Sequence, residues 1–172
     1  MKVFLDTNIF LEYFERRRQY EAVSHLLSAI EDGQLKAVVS AGCIYTPAYL
    51  VRSELKRQGI HRPEQTLRVR QTLDIVLSMT TVAGISHKRM VSGNSDPAFD
   101  DIEDSFQYQC AVQNKCDALV TINLKDYRNA DTSAMEILSP EAFVSRYLRL
   151  RHIPPAKNNI RRDIHRDAPA VP

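Results

Sequence analysis

Lys2-Val3-Phe4-Leu5-Asp6-Thr7-Asn8-Ile9-Phe10, at the start of the 172-residue chain, is the stretch that decides the fold class. Lys2 to Leu5 form a short apolar run that stops at a carboxylate. A run that brief, with Val and Phe in it, suits a strand buried on both faces. Ile9, Phe10, Leu11, Tyr13 and Phe14 then begin a helix, which makes Asp6-Thr7-Asn8 a strand-to-helix junction. A buried strand feeding a helix is the first half of a βαβ unit, and the remainder of the chain repeats the alternation.

Ala22, Val23, Leu26, Leu27 and Ile30 recur at the steps of an amphipathic helix over Tyr20 to Asp32, and Gly33 is placed to end it in a left-handed conformation. Ala37 to Ser40 reads as a second strand. A helix carrying Ile44, Ala48, Val51 and Leu55 follows to Gln58, with Pro47 tolerable only in its first turn. Pro63 opens another helix through Leu67, Val69 and Leu73, and Asp74 to Val82 reads as a third strand or a continuation of helix. Ser86 caps a short helix to Val91, and Ser92 to Pro97 is a polar loop. Asp101 to Asn114 is helical, Ala118 to Thr121 and Glu136 to Leu138 are short strands, and Ser139-Pro140-Glu141 opens a last helix. These elements predict an α/β fold with a parallel sheet covered by helices on both faces.

Several functions are excluded cheaply. The five glycines lie at positions 33, 42, 59, 84 and 93, at no spacing that builds a phosphate-binding loop. Three scattered cysteines, Cys43, Cys110 and Cys116, make neither a disulfide framework nor a metal-binding pair, and read as buried free thiols in a reducing compartment. The five histidines form no zinc pair. No apolar run reaches the ~18 residues of a membrane span, and Asp6 comes too early for a signal peptide. A cytoplasmic protein is the expectation. The net charge of +2 divides unevenly: residues 1 to 145 hold 16 basic and 19 acidic side chains, residues 146 to 172 hold 7 and 2. The basic segment 149–172, with Pro154, Pro155, Pro169 and Pro172, reads as a mobile tail. It either stays solvated or touches a polyanionic partner through Arg161, Arg162 and Arg166.

Three places carry candidate chemistry. Asp6 ends a strand, where open parallel sheets place their ligands; it either caps the next helix or holds a metal with Thr7 and Asn8 in support. Asp100-Asp101-Ile102-Glu103-Asp104 sets four carboxylates within five residues. Acids at a helix start are favoured by the macrodipole, yet four repel one another, and a divalent cation would convert that repulsion into binding. Asp101 and Asp104 project from one face. Thr121 and Asn123 leave a strand on the edge that carries Asp6, as a polar turn or as oxygen donors for Mg²⁺ or Mn²⁺.

These segments resemble the PIN domain family of metal-dependent ribonucleases, whose largest group is the toxins of VapBC toxin–antitoxin pairs. Val3-Phe4-Leu5-Asp6-Thr7-Asn8-Ile9-Phe10 is similar to its first-strand motif. Asp101-Ile102-Glu103-Asp104-Ser105-Phe106-Gln107-Tyr108 is similar to the D-x-E-D-a-x-Q-x segment of one branch, and Cys116 to Tyr127 to that branch's D-x-I-I-T-x-N-x-K-D-F block. Ser139 to Phe143 resembles its closing segment. The resemblance covers residues 1 to 148. It implies a three-layer α/β/α domain around a mainly parallel sheet of four to five strands, and hydrolysis of RNA phosphodiesters with Mg²⁺ (or Mn²⁺). Asp6, Asp101 and Asp104 would be metal-binding and catalytic, with Asn123; Thr7, Asn8, Thr121 and Asp126 would support them. A small antitoxin protein and a second copy of the chain are the implied partners.

Two departures bear on this. Where many relatives carry a Glu in the helix after the second strand, this chain has Thr46, with Glu54 two turns further on; after Thr121 an Arg is common, and here stands Ile122. A PIN module that binds RNA or protein without cleaving is therefore the second expectation. A phosphatase built on Asp6 is disfavoured, because Asn8 occupies the place of its second acid. Arg16-Arg17-Arg18 is a candidate RNA-binding patch or a solvated charge run.

Overall fold

A computed structural model describes residues 1–148; the expected tail falls outside the described residues. Five strands, β1 (Lys2–Leu5), β2 (Lys36–Ser40), β3 (Thr80–Ala83), β4 (Ala118–Val120) and β5 (Glu136–Leu138), form one sheet in the order β3-β2-β1-β4-β5. Every pairing is parallel, with Phe4 opposite Val38 on one side and Leu119 on the other. The helices α1 (Thr7–Phe14), α2 (Tyr20–Glu31), α3 (Gly42–Arg57), α4 (Glu64–Met79), α5 (His87–Asn94), α6 (Ile102–Gln113) and α7 (Pro140–Phe143) connect them. Parallel strands need such crossovers, and both faces of the central strands are buried as a result. Val3, Phe4, Leu5, Ala118, Leu119 and Val120 have no exposed surface.

The chain order reverses between β1 and β4. One connection leaves β1 toward β2, while β4 arrives on the other side, which opens a crevice at the carboxyl ends of these two strands. Asp6 and Thr121 stand there. The backbone N–H of Asp6 donates to the carbonyl of Val120 at 3.1 Å, locking the two strand ends together.

Helix ends follow their local chemistry. Gly33, at φ 72°, lets the amides of Gly33 and Gln34 return to the carbonyls of Ile30 and Ala29, closing α2 as expected. Ser139 caps α7 by accepting from Ala142, with Pro140 in the first turn. The structure sharpens two points of the sequence reading and corrects a third, the place of Pro47. Asp74 to Met79 belongs to α4, and β3 begins only at Thr80, because Val76 is buried as part of the helix. Pro47 lies in the second turn of α3, since Ser40 accepts from the amide of Cys43 at 3.2 Å and starts the helix at Gly42. Leu67 is exposed on α4, whereas Gln65 is buried and its amide donates to the carbonyls of Arg52 and Ile60, tying α4 to α3. Among the described residues no helix is long and apolar enough to cross a membrane.

Candidate active site

Asp6 is 2% exposed at the end of β1. It caps α1, accepting from the Asn8 amide at 3.5 Å, so the structural expectation for it holds. More than a cap surrounds it. Thr121 donates its hydroxyl to Asp6 Oδ2 at 2.5 Å, and Asn8 Nδ2 donates to the same oxygen at 2.8 Å. Asn8 in turn accepts from the amide of Ile122 at 3.2 Å, and the Thr121 hydroxyl accepts from the amide of Asn123 at 2.9 Å. Burial pushes the Asp6 carboxyl above its ordinary value, while bonds from Thr121, Asn8 and Gln107 pull against that. A buried carboxylate held by several donors is fixed in orientation.

Asp104 reaches the same crevice from the first turn of α6. Its pKa is raised to about 7, first by burial and then by the charge of Asp6, with Asp101 and Asp126 adding to it and a hydrogen bond from Tyr127 opposing. That bond runs from the Tyr127 hydroxyl to Asp104 Oδ1 at 3.1 Å. The phenol is itself buried and raised well above its ordinary value, by burial and by the charges of Asp6 and Asp104. A carboxyl raised by a neighbouring carboxylate needs a counter-charge if both are to ionise.

The other expected residues are distributed as follows. Asp101 is exposed and caps α6, accepting from the Glu103 amide at 2.8 Å, while still acting on Asp104 through its charge. Thr7 is buried; its amide donates to Gln107 and its hydroxyl to Glu103, both at 3.3 Å, which joins α1 to α6. Asn123 is exposed just after β4, and Asp126 is half-buried in a short 3₁₀ turn, Leu124–Tyr127. Arg16, Arg17 and Arg18 are exposed beyond the far end of α1, ~12 Å along its axis from Asp6. Arg17 pairs with Glu15 at 2.6 Å, and the Arg16 guanidinium lies over Tyr20. Thr46 is half-buried on α3, and Glu54 is held by Arg57 at 2.9 Å and by Gln58, so it supplies no carboxylate to the crevice.

Sequence reasoning assigned no role to Gln107 or Tyr127. Gln107, buried three residues after Asp104 on α6, accepts from Thr7 and from the Cys43 thiol at 3.2 Å, and so links α1, α3 and α6 behind Asp6. The three-residue step from Asp104 was the available signal. Tyr127 is fixed by an edge-on Phe99 ring at 5.7 Å, and Phe99 packs on Tyr108. The cysteines are buried free thiols, and burial pushes Cys110 and Cys116 to about 11.

Among the described residues no group of three or more His, Cys, Asp or Glu side chains is placed to hold a metal ion. The donor set is open and made of oxygen. Two carboxyls both raised by burial, Asp104 also by the charge of Asp6, with further acids at the rim, suit a hard cation that takes one or two carboxylates and keeps its waters. The residues fit such an ion.

No curated protein gives a significant match to the chain. Among solved structures it is similar to the crystal structure of VapBC2 from Rickettsia felis bound to a DNA fragment from their promoter. The identity is 17%, with 81% of this chain and 98% of that one covered, at a TM-score of 0.57. At that identity the likeness shows a shared fold. The sequence profile of the PIN domain matches residues 2–125, well over half of the chain and spanning Asp6, Asp104 and Asn123; the chain belongs to the PIN domain family.

Proposed function

We propose that this chain is a metal-dependent endoribonuclease, the toxin half of a type II toxin–antitoxin pair. The observation that carries the reading is the juxtaposition of Asp6 and Asp104 at the reversal of strand order, each raised by burial and Asp104 further raised by Asp6. Asp6 and Asp104 would hold Mg²⁺ or Mn²⁺, with Asp101 at the rim. When bound, the ion lowers the pKa of a coordinated water and offsets charge on the phosphate under attack. Thr121 and Asn8 fix the Asp6 carboxylate, and Tyr127 fixes that of Asp104. Asn123 and Asp126 border the crevice, and Arg16, Arg17 and Arg18 are the proposed outer contacts for RNA. The toxin role draws on PIN membership and on the similarity to a VapBC assembly. A small antitoxin covering the crevice, a homodimer and a cytoplasmic setting belong to the same reading.

A second reading has its own support. Thr46 stands where a carboxylate is usual in the family, which favours a PIN module that binds RNA or a protein without cleaving. The two are separated by incubating end-labelled single-stranded RNA with the wild type, Asp6→Ala and Asp104→Ala, with Mg²⁺ or Mn²⁺ and with EDTA. The nuclease reading expects cleavage by the wild type only, and only with metal. Cleavage that survives both substitutions, or RNA binding with no cleavage at all, sinks it.

A further inference from the structure

Tyr45 and Tyr49 are 74% and 68% exposed, far above what their apolar rings would choose without a partner. Both are on α3, and so are the exposed cations Arg52 and Lys56. At ~100° per residue the four side chains fall within ~60° of arc, a single stripe ~16 Å long. Its beginning lies at the sheet edge of the candidate active site, because α3 starts at Gly42, just after the end of β2 beside Asp6, while the opposite, buried face of its first turn reaches the residues behind Asp6. Cys43, two residues before Tyr45 in the first turn of α3, donates its thiol to Gln107, the residue that also bonds Asp6.

We infer that this stripe is a stacking platform for single-stranded RNA leaving the carboxylate crevice, with Tyr45 and Tyr49 under successive bases and Arg52 and Lys56 on the phosphates beyond them. The inference rests on the ribonuclease reading for the identity of the strand. The chemistry of the stripe selects nucleic acid among possible occupants. Rings that accept any base, followed by cations instead of further apolar side chains, match an alternation of bases and phosphates. A crevice lined by Asp6, Asp101, Asp104 and Asp126 repels a polyanion, so attraction has to come from a neighbouring surface. α3 starts at the crevice edge and carries Arg52 and Lys56 further along the same face as the two rings.

The test is fluorescence anisotropy of a labelled, mixed-sequence single-stranded oligoribonucleotide in EDTA, so that binding is read without cleavage. Tyr45→Ala with Tyr49→Ala should weaken binding about tenfold or more, whereas Tyr45→Phe with Tyr49→Phe should retain it, since stacking needs the ring and not the hydroxyl. Arg52→Glu with Lys56→Glu should weaken binding and flatten its salt dependence by about two phosphate contacts. Unchanged affinity in the alanine pair overturns the platform. So does a fall in molecular mass by sedimentation in that pair, which would make the face an interface between copies. The two readings fail separately. Full-affinity binding by the alanine pair in a chain that cleaves RNA defeats only the platform; ring-dependent binding by a chain that never cleaves defeats only the nuclease.

Discussion

Replacing Thr121 by Val removes one hydroxyl from a side chain with no exposed surface, and keeps its shape. That hydroxyl donates to Asp6 at 2.5 Å and accepts from the Asn123 amide at 2.9 Å, so one atom serves both the carboxylate and the turn after β4. A hydrogen bond to a charged group contributes ~1.5–3 kcal/mol. The orphaned Asn123 amide adds a smaller cost, because Asn123 is exposed and water can replace the acceptor. Thr121→Val should therefore destabilise by about 2–3 kcal/mol, lowering Tm by roughly 4–12 °C for a chain of this size. The bond stabilises the ionised carboxylate, so the cost should shrink as pH falls and Asp6 takes up its proton. Urea unfolding of the wild type, Thr121→Val, Asp6→Asn and the double variant forms a cycle that isolates the pair. A loss in Thr121→Val that is equally large in the Asp6→Asn background would refute the argument, assigning the cost to packing instead of the anion.

Three further outcomes are expected. Asp104, at about 7 against its ordinary 3.8, contributes stability that is complete below 3.8 and lost as pH rises through about 7. The metal-free chain should consequently lose this stability progressively between pH 3.8 and about 7 and change little from this group above that, and Mg²⁺ should raise Tm more above 7 than at acid pH; equal Mg²⁺ stabilisation on both sides would count against it. Tyr127→Phe removes the donor to Asp104 Oδ1 and should weaken Mn²⁺ binding by ~10–100-fold with little change in fold, read by calorimetry and circular dichroism. A Cβ on Gly93 would meet Phe106 at 3.0 Å and Ser105 Oγ at 3.2 Å where α5 packs on α6. Gly93→Ala should thus destabilise by about 1–2 kcal/mol in spite of its better helix propensity, and a stabilised variant in urea would show the packing to be looser.

The fold was legible where sequence pattern and burial coincide. Lys2 to Leu5 and Ala118 to Val120 are short, apolar and bounded by polar residues, and both are central strands. Asp74 to Val82 was ambiguous because a half-buried helix end and an edge strand share one apolar content; Val76 alone is fully buried there, and β3 is largely exposed. Pro47 misled because a proline signals a first turn only on average, and the Ser40 hydroxyl, which sets the real start, is a tertiary detail of the strand end.

The site was legible as a set of acids and illegible as a network. Asp6 and Asp104 announce themselves by type and position. What turns them is carried by side chains of ordinary appearance: the Thr121 hydroxyl, the Gln107 amide and the Tyr127 phenol each act across more than ten residues of sequence, through strand order and helix packing. Asp101 shows the opposite case. Its acidity drew attention, yet its oxygen caps α6 and its charge reaches the site only at a distance.

The most direct test of the account is calorimetric titration of Mn²⁺ into the wild type, Asp6→Asn and Asp104→Asn above pH 7, where Asp104 ionises. The account predicts saturable binding by the wild type that is lost or weakened at least tenfold in each variant. Binding of equal affinity in all three chains would contradict it.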